Sequence, residues 1–184
     1  MIYAGIDPSF NSTGIVLLNT NTNEYKYYGF TTKKKLVHNG IIHYIKFDNH
    51  LEQYLFMIKE IKQILIKHKV DKVYIEGYSY NSQSNTQQKV YGFGEMLRLL
   101  FYSLQIPYIQ LAPTRVKSKA TGNGHADKNL MAKFFYDDVD IKDFAFKDIM
   151  FTKSNNIIPP FGDIIDASYM LKVGMSEDGD ISGK

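Results

Sequence analysis

Residues 5–14 read GIDPSFNSTG, and the role of Asp7 in that stretch decides the fold. A short apolar run, residues 2–6, precedes the aspartate. A second run, residues 15–18, follows the turn-forming Pro8, Ser9, Asn11, Ser12 and Gly14. Two apolar runs joined by turn residues predict a β-hairpin. A carboxylate closing so apolar a strand has a structural explanation, since aspartate caps turns by bonding to its own backbone two residues on. It also has a chemical one, and acids elsewhere in the chain decide between them.

Working outward, a turn-rich stretch at 19–23 leads to a third strand at 25–31, and an irregular, Lys- and His-containing segment follows at 32–46. Leu51, Leu55, Ile58, Ile61, Ile64 and Leu65 then recur at helical spacing. A strand at 72–76, a polar loop at 77–86 and a second helix marked by Val90, Phe93, Leu97, Leu100, Phe101 and Leu104 come next. Pro107 stops that helix before a strand at 108–111. The remainder is helical in pieces, the last piece starting after Pro159, Pro160 and Gly162. A three-strand meander followed by helix, strand, helix, strand and helices predicts an α/β fold whose mixed five-stranded sheet is flanked by helices.

The chain has 184 residues, enough for one domain with a substantial core, expected at 1–175. Glu177, Asp178 and Asp180 mark 176–184 as an acidic, flexible tail. With 44% hydrophobic and 22% charged residues the composition is globular. The absence of cysteine excludes disulfides and thiolate metal sites and fits a cytoplasmic protein. No stretch approaches the roughly 20 apolar residues of a membrane span. The net charge of +3 names no partner, but Arg115, Lys117, Lys119, Lys128 and Lys133 face only one nearby acid, Asp127. Such a cluster is either a solvated helix face or a site for a polyanion such as nucleic acid.

Three more acids stand in apolar surroundings: Glu76 in KVYIEGYSY, and Asp163 and Asp166 in GDIIDASYM. Asp163 and Asp166 are three apart on a helix and share a face. Each acid alone can be explained as a cap or a strand-end residue facing water. Four of them meeting in one place would repel one another and raise one another's pKa. Divalent cations relieve that repulsion, and oxygen donors suit Mg²⁺ or Mn²⁺.

GIDPSFNSTG, YIEGYSY, RVKSKATGNGHADKN (115–129) and DIIDASYM, taken in order, resemble the blocks of the RuvC-like Holliday junction resolvases of the ribonuclease H-like superfamily. The resemblance implies a ribonuclease H-like sheet and a metal-dependent endonuclease that cuts four-way DNA junctions in pairs. It places two Mg²⁺, with Mn²⁺ as substitute, on Asp7, Glu76, Asp163 and Asp166. It also puts Lys117 and Lys128 at the scissile phosphate, with the TGNG stretch at 121–124 letting backbone approach the DNA. Arg115, Lys119, Asn123 and His125 become candidate DNA contacts. Tyr78 and Tyr80, two apart in the loop after Glu76, become aromatic wedges for bases at the junction centre. A homodimer through residues 87–104 follows from the two-fold symmetry of a junction, with Gly92 and Gly94 allowing close helix approach.

Other functions remain open on these residues. A flap or branched-DNA nuclease of the same fold would use the same acids. A junction-binding protein without cleavage is expected to lack at least one of them. An actin-like ATP-binding protein shares the first turn, yet generally needs a second nucleotide-binding domain for which 184 residues leave little room. Segments 32–48 and 133–160 are longer than the resolvase pattern, which bears on substrate preference. Abundant Asn, Lys, Ile and Tyr suggest an AT-rich genome and a phage member, which would act in the host cytoplasm.

Overall fold

The computed structural model describes residues 1–9, 11–32, 42–77, 85–138 and 150–179. Six strands, β1 (Ile2–Asp7), β2 (Ser12–Asn19), β3 (Glu24–Thr31), β4 (Ile42–Tyr44), β5 (Lys72–Glu76) and β6 (Tyr108–Leu111), form one sheet in the order β4-β3-β2-β1-β5-β6. The meander β1 to β3 is antiparallel, whereas β4 runs parallel to β3, β5 to β1 and β6 to β5. Helices α1 (His50–Lys67), α2 (Asn85–Ser103), α3 (Pro113–Thr121), α4 (Lys128–Asp137) and α5 (Phe161–Glu177) flank it. None of the described helices is long and apolar enough to cross a membrane.

Alternation along the strands sorts the core into two layers. Ala4, Ile6, Ile15, Leu17, Val73 and Ile75 meet α1 and α2, where Tyr54 and Phe93 stack with ring centroids 5.7 Å apart. Tyr3, Val16, Leu18 and Tyr74 face α3, α4 and α5. Helix α5 is buried nearly all round, from Phe161 to Met175, as a helix wedged between a sheet and two other helices must be. It lies very close to β2. A Cβ at Gly14 would sit 2.2 Å from the Asp163 carbonyl carbon, so only glycine admits the first turn of α5 there.

The structure differs from the sequence expectation, or adds to it, in four places. The sheet has six strands rather than five, because the irregular 32–46 segment contains β4. Three residues are too few to show a period, but Ile42 is fully buried and His43 stacks on Phe30 at 5.3 Å. The C-terminal helix continues past 175 to Glu177, where Arg115 Nε donates to Glu177 Oε1 at 2.7 Å, and Lys72 pairs with Asp178 just beyond it. Gly122 in TGNG has φ 78° and closes α3 in the left-handed region. Gly92 is exposed with open space about it, whereas Gly94 is buried, so the two do not share one outward helix face.

Candidate active site

Asp7 and Glu76 end β1 and β5, adjacent parallel strands whose register pairs Ile6 with Ile75. The next residues along are therefore the two acids, side by side at the same edge of the sheet. Asp7 also lies opposite Gly14 across the β1–β2 ladder. The side chain missing at Gly14 leaves that space to the start of α5, which brings Asp163 over the same edge, with Asp166 one turn on. Pro113 begins α3 just after β6, and Asp127 caps α4 by accepting from Leu130 N–H at 2.8 Å. These two helix starts bring Lys117 and Lys128 to the same place.

All six side chains line one cavity of about 260 Å³, whose walls also include Pro8, Ser9, Val90, Pro113, Val116 and Met170. Asp163 is almost wholly buried and accepts from Lys128 Nζ on Oδ1 and from the Ser12 hydroxyl on Oδ2. The stem of Lys128 lies over Gly162, where a Cβ would be 2.9 Å from its Cδ. Crowding and burial show in the protonation of the acids. Asp7 is pushed well above the usual carboxylate range by burial, then by Glu76, Asp163 and Asp166. Burial raises Glu76 to about 7, with Asp166 adding to the rise and a hydrogen bond with Asp7, Lys128 and Lys117 opposing it. Burial also raises Asp166 to about 6 against the pull of Lys128 and Lys117. Lys128 loses charge stability to burial, but Asp163, Asp7 and Asp166 outweigh that loss and hold it protonated.

The remaining candidates lie elsewhere. Arg115 pairs with Glu177, about 21 Å along α5 from Asp163. Lys119, four residues on from Arg115 and so on the same face of α3, lines a separate cavity with Asp138 and Lys172. Asn123 and His125 are exposed in the α3–α4 turn. There the Asn123 side chain accepts from His125 N–H at 2.9 Å and braces the loop. Tyr78 and Tyr80 lie outside the described residues. Ser12, unremarked as a functional residue in the sequence, is the addition: it begins β2 beside a second hydroxyl, Thr13, and nothing local sets it apart.

Comparison with known proteins places the chain. The family model for "Crossover junction endodeoxyribonuclease RuvC" matches residues 3–143. The chain belongs to the RuvC family. A RuvC of Ehrlichia ruminantium (strain Gardel) is 32% identical over 146 residues, spanning 79% of this chain and 87% of that one. A RuvC of Brachyspira hyodysenteriae is 26% identical over 133 residues, 72% of this chain and 78% of that one. Among solved structures, Thermus thermophilus RuvC superposes with a TM-score of 0.62 at 17% identity, covering 97% of each chain. The same protein in complex with a Holliday junction substrate superposes with a TM-score of 0.62 at 15% identity over 96% of each chain. These likenesses establish a shared RuvC fold. The matched stretch ends before Asp163 and Asp166, so the folded geometry, not the family match, brings the last two acids to Asp7 and Glu76.

Proposed function

We propose that this RuvC-family chain resolves four-way DNA junctions as a homodimer, hydrolysing one phosphodiester in each of two opposed strands with divalent cations held by Asp7, Glu76, Asp163 and Asp166. The observation that carries the reading is the convergence of four carboxylates and two lysines on one open cavity at a strand edge. The donor set is all oxygen and suits Mg²⁺ or Mn²⁺. The raised acids supply the fit, because like charges at this spacing favour either protonation or a cation among them.

Divalent cations held by Asp7, Glu76, Asp163 and Asp166 would supply activation of the attacking water and charge stabilisation at the leaving 3′-oxygen. The protein's own part is to hold the phosphate. Lys128 is half exposed even with its Nζ paired to Asp163, and Lys117 lines the same cavity. Both can bind a phosphate oxygen as point charges. Arg115 and Lys119, turned to other partners or another cavity, leave no counterpart on that side of α3.

Incubation with synthetic four-way junctions, flaps and linear duplex in Mg²⁺, with cuts mapped on every strand, tests this reading. Paired, symmetric cuts confined to the junction are expected. Equal rates on flaps would favour the broader branched-DNA nuclease, and no cutting of any substrate would sink both.

The dimer reading rests on α2. Gly92, Glu95, Leu99 and Tyr102, spaced three, four and three residues apart, form one outward stripe on which Leu99 is 68% and Tyr102 83% exposed. Large apolar side chains held in water along one helix suit a self-complementary two-fold contact. Leu99→Glu is expected to shift sedimentation from dimer to monomer at micromolar concentration and to convert paired cuts into single nicks. A wild-type protein that sediments as a monomer yet cuts in pairs would contradict the scheme.

A further inference from the structure

We infer that Ser12 is a positioning residue for Asp163, its buried hydroxyl fixing the carboxylate in the orientation that receives a cation. The inference deepens the proposed function and rests on it. Ser12 begins β2, two residues before Gly14 and so on the same face of the sheet, the face that α5 covers. Gly14 sets how close the first turn of α5 approaches. Ser12, one step nearer the sheet edge, donates to Asp163 Oδ2. Strand β2 therefore fixes both the backbone and the side chain of this acid.

The choice of partner separates Ser12 from hydroxyls that merely satisfy themselves. Thr13 and Ser168, buried likewise, donate to backbone carbonyls, of Ser9 at 2.7 Å and of Ile164 at 2.8 Å. Ser12 instead donates to a carboxylate that lines the cavity. Asp163 lies at the start of a helix with Lys128 drawing on Oδ1, and without a second donor its carboxylate would be free to rotate toward the lysine. With Ser12 on Oδ2 the plane of the carboxylate is fixed, and each oxygen keeps lone-pair capacity for a metal. Donors that orient a ligating carboxylate typically govern metal affinity by about 10–100-fold.

The test is Mn²⁺ binding followed by electron paramagnetic resonance, on wild type, Ser12→Ala, Ser12→Thr, Asp163→Asn and the Ser12→Ala/Asp163→Asn double variant, with the melting temperature of each. Ser12→Ala is expected to weaken Mn²⁺ by about 10-fold or more, Ser12→Thr to restore most of the affinity, and the double variant to bind no worse than Asp163→Asn. A Ser12→Ala protein that binds Mn²⁺ as wild type does, or a folded Ser12→Thr protein as weak as the alanine variant, overturns the role of Ser12 while leaving the cation reading standing. Wild-type protein that fails to bind Mn²⁺ at all overturns the cation reading, and this role with it.

Discussion

Asp7→Asn is expected to abolish junction cleavage and, at the same time, to raise the melting temperature. The first effect follows from its place at the end of β1, level with Glu76 and beneath the start of α5. An asparagine keeps the shape and loses the charge a cation needs. The second follows from the cost of that charge. Asp7 is buried among three other acids, and its pKa lies well above the usual carboxylate range for that reason. Removing a buried like charge therefore stabilises the fold. Glu76→Gln and Asp166→Asn should behave in the same way, losing cleavage while gaining stability. Junction binding should persist in all three, because the backbone that carries the lysines is unchanged.

The pH dependence carries the same sign. Glu76 titrates near 7 in the folded protein and near its ordinary value of 4.5 in the unfolded chain, and Asp166 near 6 against 3.8. Between those values the folded state holds more protons than the unfolded one, so stability falls as pH rises from about 4 to about 7 and then levels off. Each pH unit separating the folded and unfolded pKa of a group is worth about 1.4 kcal/mol. In a chain of this size one kcal/mol moves the melting temperature by about 2–4 °C. Thermal melts without divalent cation at pH 5 and pH 8 should thus show a wild-type protein several degrees less stable at pH 8. That gap should narrow in Glu76→Gln and on adding Mg²⁺. An Asp7→Asn protein that cut at the wild-type rate would remove Asp7 from the site. One that lost cutting and melted lower would identify misfolding as the cause.

Local pattern made much of this architecture legible. The expected strands at 72–76 and 108–111 coincide with β5 and β6, since each is a short apolar run bounded by helix-ending or loop residues. What local pattern does not carry is adjacency. The hairpin places β2 beside β1, but that Glu76 stands beside Asp7 depends on β5 running parallel to β1 on the other side, a long-range pairing with no local signature. Spacing also sorts the basic cluster: Arg115 and Lys119 are four apart and share a face of α3, while Lys117 is on the opposite side, where the acids are. Ser12 was illegible because its importance lies entirely in what α5 brings to it from 151 residues away.

Lys128→Ala is expected to slow cleavage by about 10²–10³-fold, the usual cost of removing one donor to developing charge, while leaving junction affinity nearly intact. Its effect on Mn²⁺ should run the other way. Lys128 is the positive charge on Asp163 and also acts on Asp7, Glu76 and Asp166, so its removal makes the cavity more negative and should tighten cation binding. Stability should fall, in contrast to the acid variants. The lysine's folded pKa is raised above its ordinary value, so its contribution is fully present below about 10 and covers the whole range from pH 5 to pH 8. The loss should grow with pH across that range, as carboxylates that Lys128 had compensated give up their protons without it. Lys117→Ala should show the same pattern more weakly, because Lys117 acts on Glu76 and Asp166 but makes no ion pair with Asp163. Cleavage rates, junction affinity, Mn²⁺ affinity and melting curves on the same preparations decide the matter. Parallel losses of cleavage and junction affinity in Lys128→Ala, with a salt dependence reduced by about one phosphate, would make Lys128 a groove contact rather than part of the reacting centre.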